Sequence, residues 1–154
     1  MITGVHVANT VLKRAFREKS DVTPMKLQKI VYIIYKNYLK ETGKQLFLER
    51  FGAWRRGPVL PNIYSEFKQY RWNPITDYSR QNDGRVPVVK LETSPTFEKI
   101  FNNVWTKYKD VDAVELSEYT HLDGGAWKKA IENKTYILND NDIMEEEEYE
   151  LTTG

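Results

Sequence analysis

The stretch from Thr23 to Gly43 constrains this chain more than any other. Thr23 is a good helix N-cap, and Pro24 suits the first helical position, where its missing N–H costs nothing. Leu27, Ile30, Val31, Ile34, Tyr38 and Leu39 then recur at three- and four-residue steps and form one wide apolar face. Gly43 supplies a left-handed stop. The spacing predicts about five turns of helix, the natural spine of a core. Its other side carries Lys26, Lys29, Lys36 and Lys40, which read as a basic stripe facing solvent or a partner.

The rest of the chain arranges itself around that spine. Residues 3–19 read as a first helix, with Val7, Val11, Leu12, Ala15 and Phe16 on one face and Lys13, Arg14 and Arg17 outside. Ser20-Asp21-Val22 is a short connection, so the first two helices pair antiparallel. His6 beside the apolar face reads as a surface or packing residue. Leu46 to Trp54 is aromatic-rich and partly alternating, fit for a short strand or an extended segment, and Gly57-Pro58 marks a turn. Pro61 starts a helix bearing Ile63, Tyr64, Phe67 and Tyr70, which Trp72-Asn73-Pro74 ends. Asn82-Asp83-Gly84 predicts a hairpin turn between residues 75–80 and 86–91, with Pro87 confining the second arm to an edge or an irregular strand. Ser94-Pro95 opens a helix carrying Ile100, Phe101, Val104, Trp105 and Tyr108, and Asp112 caps a short one with Val114, Leu116 and Tyr119. After the break at Gly124-Gly125, a further helix carries Trp127, Ala130 and Ile131.

The expected fold is mainly α: a single helical domain of about five to six helices over residues 1–138, with a small β-hairpin inserted between the third and fourth long helices. Residues 139–154 hold seven acidic side chains and no basic one, which predicts a frayed helix or a disordered tail.

Composition narrows the function classes. At 154 residues and 40% apolar content the chain suits one domain with one core. No apolar run approaches the roughly 20 residues of a membrane span, and the start lacks a signal-peptide pattern. The absence of cysteine excludes disulfides and thiolate metal sites and fits a cytoplasmic protein. Charge is split: residues 1–72 hold 14 Lys/Arg against 5 Asp/Glu, while residues 73–154 hold 9 against 17. A basic half of this kind suits nucleic acid or an acidic partner protein, or receives the acidic end folded back upon it.

Chemistry finds little support. Gly52 and Gly57 do not fit phosphate-cradling spacing. Ser117, His121 and Asp123 are sequence neighbours, and neighbours seldom converge as a catalytic triad must. Glu115, Glu118 and His121 have helical spacing but make a weak ligand set without a further clear donor. No catalytic residue, metal or cofactor is expected. Arg55-Arg56 beside Trp54 has the make-up of a phosphate or base contact. The lysine stripe, however, lacks the Asn, Gln and Arg cluster of a base-reading helix, so nucleic acid is not the favoured partner.

Two ordered blocks resemble a known family. Met25-Lys26-Leu27-Gln28-Lys29-Ile30-Val31-Tyr32, Thr42-Gly43-Lys44 with Leu46-Phe47, Ala53-Trp54-Arg55-Arg56-Gly57-Pro58-Val59 and Pro61-Asn62-Ile63-Tyr64 with Phe67 form the first. Leu116-Ser117-Glu118-Tyr119-Thr120-His121 with Trp127-Lys128-Lys129-Ala130 forms the second. Together they resemble the Panacea-domain, or SocA-like antitoxin, family, whose members are small cytoplasmic proteins of bacteria and their phages. The chain departs from the pattern at Gly124-Gly125-Ala126, where the family often has proline before the tryptophan. The resemblance implies a non-enzymatic antitoxin-like module that neutralises a cognate toxin, encoded nearby, by direct complex formation. Alternatives are a phage-encoded binder that inhibits a host defence or regulatory protein, and a nucleic-acid-binding regulator using the basic half. Leu27, Tyr32, Trp54, Gly57, Pro58, Tyr64 and Trp127 read as scaffold, and Lys26, Lys29, Arg55 and Arg56, with Tyr35 and Tyr70, as partner contacts.

Overall fold

The computed structural model describes residues 1–152. The central element is a helix, α2 (Pro24–Thr42), capped by the Thr23 side chain on the Lys26 N–H and ended by Gly43 at φ 71°. Before it runs α1 (Gly4–Glu18). After it come β1 (Gly52–Trp54) and β2 (Gly57–Val59), then α3 (Pro61–Phe67), α4 (Pro95–Tyr108), α5 (Ala113–Thr120), α6 (Ala126–Asn133) and α7 (Asp140–Glu145). The fold is thus mainly helical with one small antiparallel hairpin, as expected, although seven helices are present among the described residues.

Helix α2 packs against α1, α3, α4, α5, α7 and β2 and is buried almost all the way round. That corrects the reading of a solvent-facing lysine stripe: Lys26, Lys29 and Lys36 are buried, and only Lys40 reaches the surface. A four-carbon stem packs as apolar surface while its ammonium reaches a distant polar group. Here Lys26 donates to the Lys109 carbonyl, and Lys29 Nζ donates to the Arg56 carbonyl at 2.6 Å. The remaining polar residue of this turn behaves alike, since Gln28 holds the Leu60 N–H and carbonyl with its side-chain oxygen and nitrogen. The Lys-Leu-Gln-Lys run is a set of clamps on backbone groups of the surrounding chain.

The hairpin lies between α2 and α3, not between the third and fourth long helices. Gly52 pairs with Val59 and Trp54 with Gly57, and on its other side β1 bridges Ile137. The Asn82-Asp83-Gly84 turn does form, with the Gln81 N–H bonded to the Arg85 carbonyl at 2.8 Å. Its arms do not become strands, because α1 captures their backbone. The buried Asn9 amide donates to the Ser79 and Pro87 carbonyls, both at 2.9 Å, and accepts from the Ser79 N–H. Thr10 Oγ1 accepts from the Val89 N–H.

Through residue 152 the acidic end is folded onto the core where a frayed or disordered tail was expected, and residues 153 and 154 lie outside the described residues. Ile143, Glu146 and Tyr149 recur every third residue and turn inward. Glu146 accepts from Tyr32 Oη at 2.5 Å, Tyr149 Oη at 2.8 Å and the Ala126 N–H at 2.9 Å. Lys36 Nζ sits 3.5 Å from Glu146 Oε1 and 3.5 Å from the Tyr149 ring centroid, an ion pair and a cation–π contact. Burial pushes the Lys36 ammonium down to about 8 against the opposing pull of Glu146. The carboxylate also caps the N-terminus of α6 through Ala126, whose N–H a proline there would lack.

Candidate partner-binding groove

The turn between β1 and β2 consists of Arg55 and Arg56, and side chains of α2, α5 and α6 and of the α5 C-cap close on the carbonyls around it. Trp127 Nε1 donates to the Trp54 carbonyl at 2.7 Å. His121 Nε2 lies 3.2 Å from the Arg55 carbonyl, while Nδ1 lies 2.6 Å from the Ser117 carbonyl. Lys29 Nζ and Ser117 Oγ both donate to the Arg56 carbonyl, at 2.6 and 3.1 Å. With its carbonyls fixed toward the core, the turn projects its guanidinium side chains outward.

Gly57 completes the arrangement. At φ 113° it occupies a conformation that side chains rarely adopt, and a Cβ there would lie 2.5 Å from Lys29 Nζ and 2.8 Å from Thr120 Oγ1. Lys29 is 1% exposed, and burial alone pushes its ammonium down to about 8. His121 stands at the C-cap of α5 with its ring 4.1 Å from that of Trp127. Ser117 Oγ thus donates to a hairpin carbonyl and the His121 ring lies between the Arg55 and Ser117 carbonyls, so the two do not face each other as nucleophile and base. Among the described residues, no three His, Cys, Asp or Glu side chains converge to hold a metal ion.

In front of the turn opens a groove of about 590 Å³ between the start of α2, the hairpin, α3 and the start of α5. Met25, Val59 and Ile63 make an aliphatic floor, and the exposed Val114 stands at its edge with Trp54, Tyr64 and Trp72. Trp54 is 39% exposed, Tyr64 47% and Trp72 77%. This corrects the scaffold reading of Trp54 and Tyr64: their rings meet edge to face at 5.0 Å, but on the surface. Arg55, Arg56, Lys68 and Arg71 line the groove with no ion-pair partner among the described residues, and no acidic residue lines it.

The other expected contact residues separate. Lys26 is buried against the chain after α4, and burial lowers its pKa. Tyr35 lies inside, donating to Asp140 Oδ1 at 2.9 Å, and burial followed by that carboxylate raises its phenol pKa. Tyr70 packs on Phe67 outside the groove lining. Leu27 and Tyr32 are wholly buried. The groove also takes in Lys68, Arg71 and Trp72, which no local sequence signal marks, and Val114, whose helical spacing marks an apolar face but not a groove.

Comparison with known proteins assigns the chain to a family. The family model for the SocA-like antitoxin, Panacea domain, matches residues 27–128, which take in most of α2, the hairpin and the groove lining apart from Thr23, Pro24 and Met25. The chain belongs to that family. Antitoxin SocA of Caulobacter vibrioides is 26% identical over 124 residues, covering 79% of this chain. The chain spans 66% of that relative's length. No solved structure matches it significantly. None of the described helices is long and apolar enough to cross a membrane.

Proposed function

We propose that this protein is an antitoxin-like binding module, acting in the cytoplasm, that neutralises a cognate toxin by direct complex formation and without chemistry of its own. The observation that carries this reading is the groove within the family-matched block: two exposed tryptophans and a tyrosine beside unpaired arginines on a fixed turn. Tryptophan, tyrosine and arginine are the residue types that dominate binding energy at protein interfaces. Exposed apolar surface rimmed by polar groups marks interaction sites. A turn already held by Lys29, Ser117, His121 and Trp127 loses little further entropy on binding, which favours affinity. Fold alone does not fix such a role, so the groove and the family membership carry it together.

Co-expression with the product of each neighbouring gene tests the proposal. One neighbour is expected to arrest growth alone, to be tolerated when this protein is present, and to copurify with it. If no neighbour is toxic, or if a toxic one is neutralised without copurifying, direct neutralisation is wrong.

A further inference from the structure

Resting on that binding reading, we infer that the groove receives an acidic peptide segment of the partner, anchored by one or two large apolar side chains. Charge complementarity carries this furthest. Five basic residues line the groove, Lys29, Arg55, Arg56, Lys68 and Arg71, against no acidic one. Unlike Lys36, whose ammonium is paired with Glu146, the four exposed ones bring no counter-charge of their own. Helix α2 presents its start to the same space through Thr23, Pro24 and Met25, with no acidic residue in its first turn, so its positive end adds to the field. Carboxylates of a partner complete these guanidinium groups in bidentate geometry.

The floor decides against a nucleic acid strand. Single-strand platforms offer successive aromatic faces along a basic track. Here Met25, Val59, Ile63 and Val114 are aliphatic, and the Trp54 and Tyr64 rings close on each other at 64°. An aliphatic floor takes leucine- or phenylalanine-like side chains. A volume of about 590 Å³ lies within the range of concave sites that enclose a few such groups.

A random dodecapeptide library panned on the immobilised full chain tests this, with counter-selection on a variant carrying Arg55→Glu, Arg56→Glu and Arg71→Glu. These side chains are exposed, and an unchanged unfolding midpoint confirms that the variant folds. Enriched peptides are expected to be net acidic with one or two large apolar residues. They are expected to weaken at least about tenfold on the charge-reversed protein and on Trp72→Ala, and to weaken as salt rises. Neutral or basic winners, indifference to charge reversal, no enrichment, or tighter competition by oligo(dT) would each overturn the inference. The two readings fail separately. A toxin neutralised equally well by the charge-reversed variant sinks the acidic segment and leaves the antitoxin reading standing. Acidic peptides selected by a protein with no toxic neighbour do the reverse.

Discussion

The two ends of α2 use the same residue type to opposite effect. At the start, Lys26 and Lys29 hold backbone carbonyls, and Lys29 fixes a turn whose own charges then face outward. At the far end, Lys36 and Lys40 hold the acidic C-terminal segment: Lys36 pairs with Glu146, and Lys40 donates to the Met144 and Glu146 carbonyls. One end organises an open groove; the other closes over itself. The difference between Lys29 and Lys36 lies in the partner. A carbonyl satisfies an ammonium without cancelling its charge, whereas a buried carboxylate cancels it and is cancelled.

The largest expected effect breaks the closed end. Glu146→Ala leaves Lys36 buried and unpaired and strips the Tyr32, Tyr149 and Ala126 donors of their acceptor. A loss of about 3–5 kcal/mol in urea unfolding is expected. Adding Lys36→Met to Glu146→Leu is expected to recover the part due to the unpaired ammonium, while the Tyr32, Tyr149 and Ala126 donors stay without their acceptor. At the open end, Gly57→Ala is expected to cost about 2–3 kcal/mol and to weaken partner binding, since the new methyl meets Lys29 and Thr120 in a strained conformation.

Both ends share a pH signature. Lys29 and Lys36 titrate near 8 in the fold, below the 10.5 of an unfolded lysine. Between those values the unfolded chain binds more protons, so stability rises with pH, by about 2 kcal/mol for each lysine from pH 8 toward pH 10. Above about pH 10 the sign reverses. Tyr32, Tyr35 and Tyr149 have raised pKa values in the fold, so the unfolded chain loses their protons first. Denaturant midpoints across this range are expected to pass through a maximum, and a flat profile would show that neither lysine is buried as described. The smallest effect sharpens the contrast: Trp72→Ala is expected to move stability by under about 0.5 kcal/mol in thermal unfolding.

Much of the fold was legible because helix ends carry local chemistry. Thr23-Pro24 and Gly43 bound α2 as read, and Asp112 caps α5 through the Val114 N–H. What escaped was long-range. Nothing local tells a lysine whose ammonium meets a carbonyl 27 residues away from one in water. The Asn82-Asp83-Gly84 turn was correct as a turn, but Asn9 and Thr10, some 70 to 79 residues distant, took the hydrogen bonds a strand partner would have made. The Glu145–Glu148 run looked solvated, although Ile143, Glu146 and Tyr149 at three-residue steps carry the inward pattern. Trp54 and Tyr64 looked like core because aromatics usually are; their exposure is itself the sign of the groove.

The most direct measurement is the affinity of the copurifying toxin, by titration calorimetry, for the wild-type chain and for a Tyr64→Ala, Trp72→Ala variant of matched stability. A loss of about a hundredfold or more at an unchanged unfolding midpoint is expected if the groove is the binding surface. Equal affinity for the two proteins would place the toxin elsewhere and contradict the assignment.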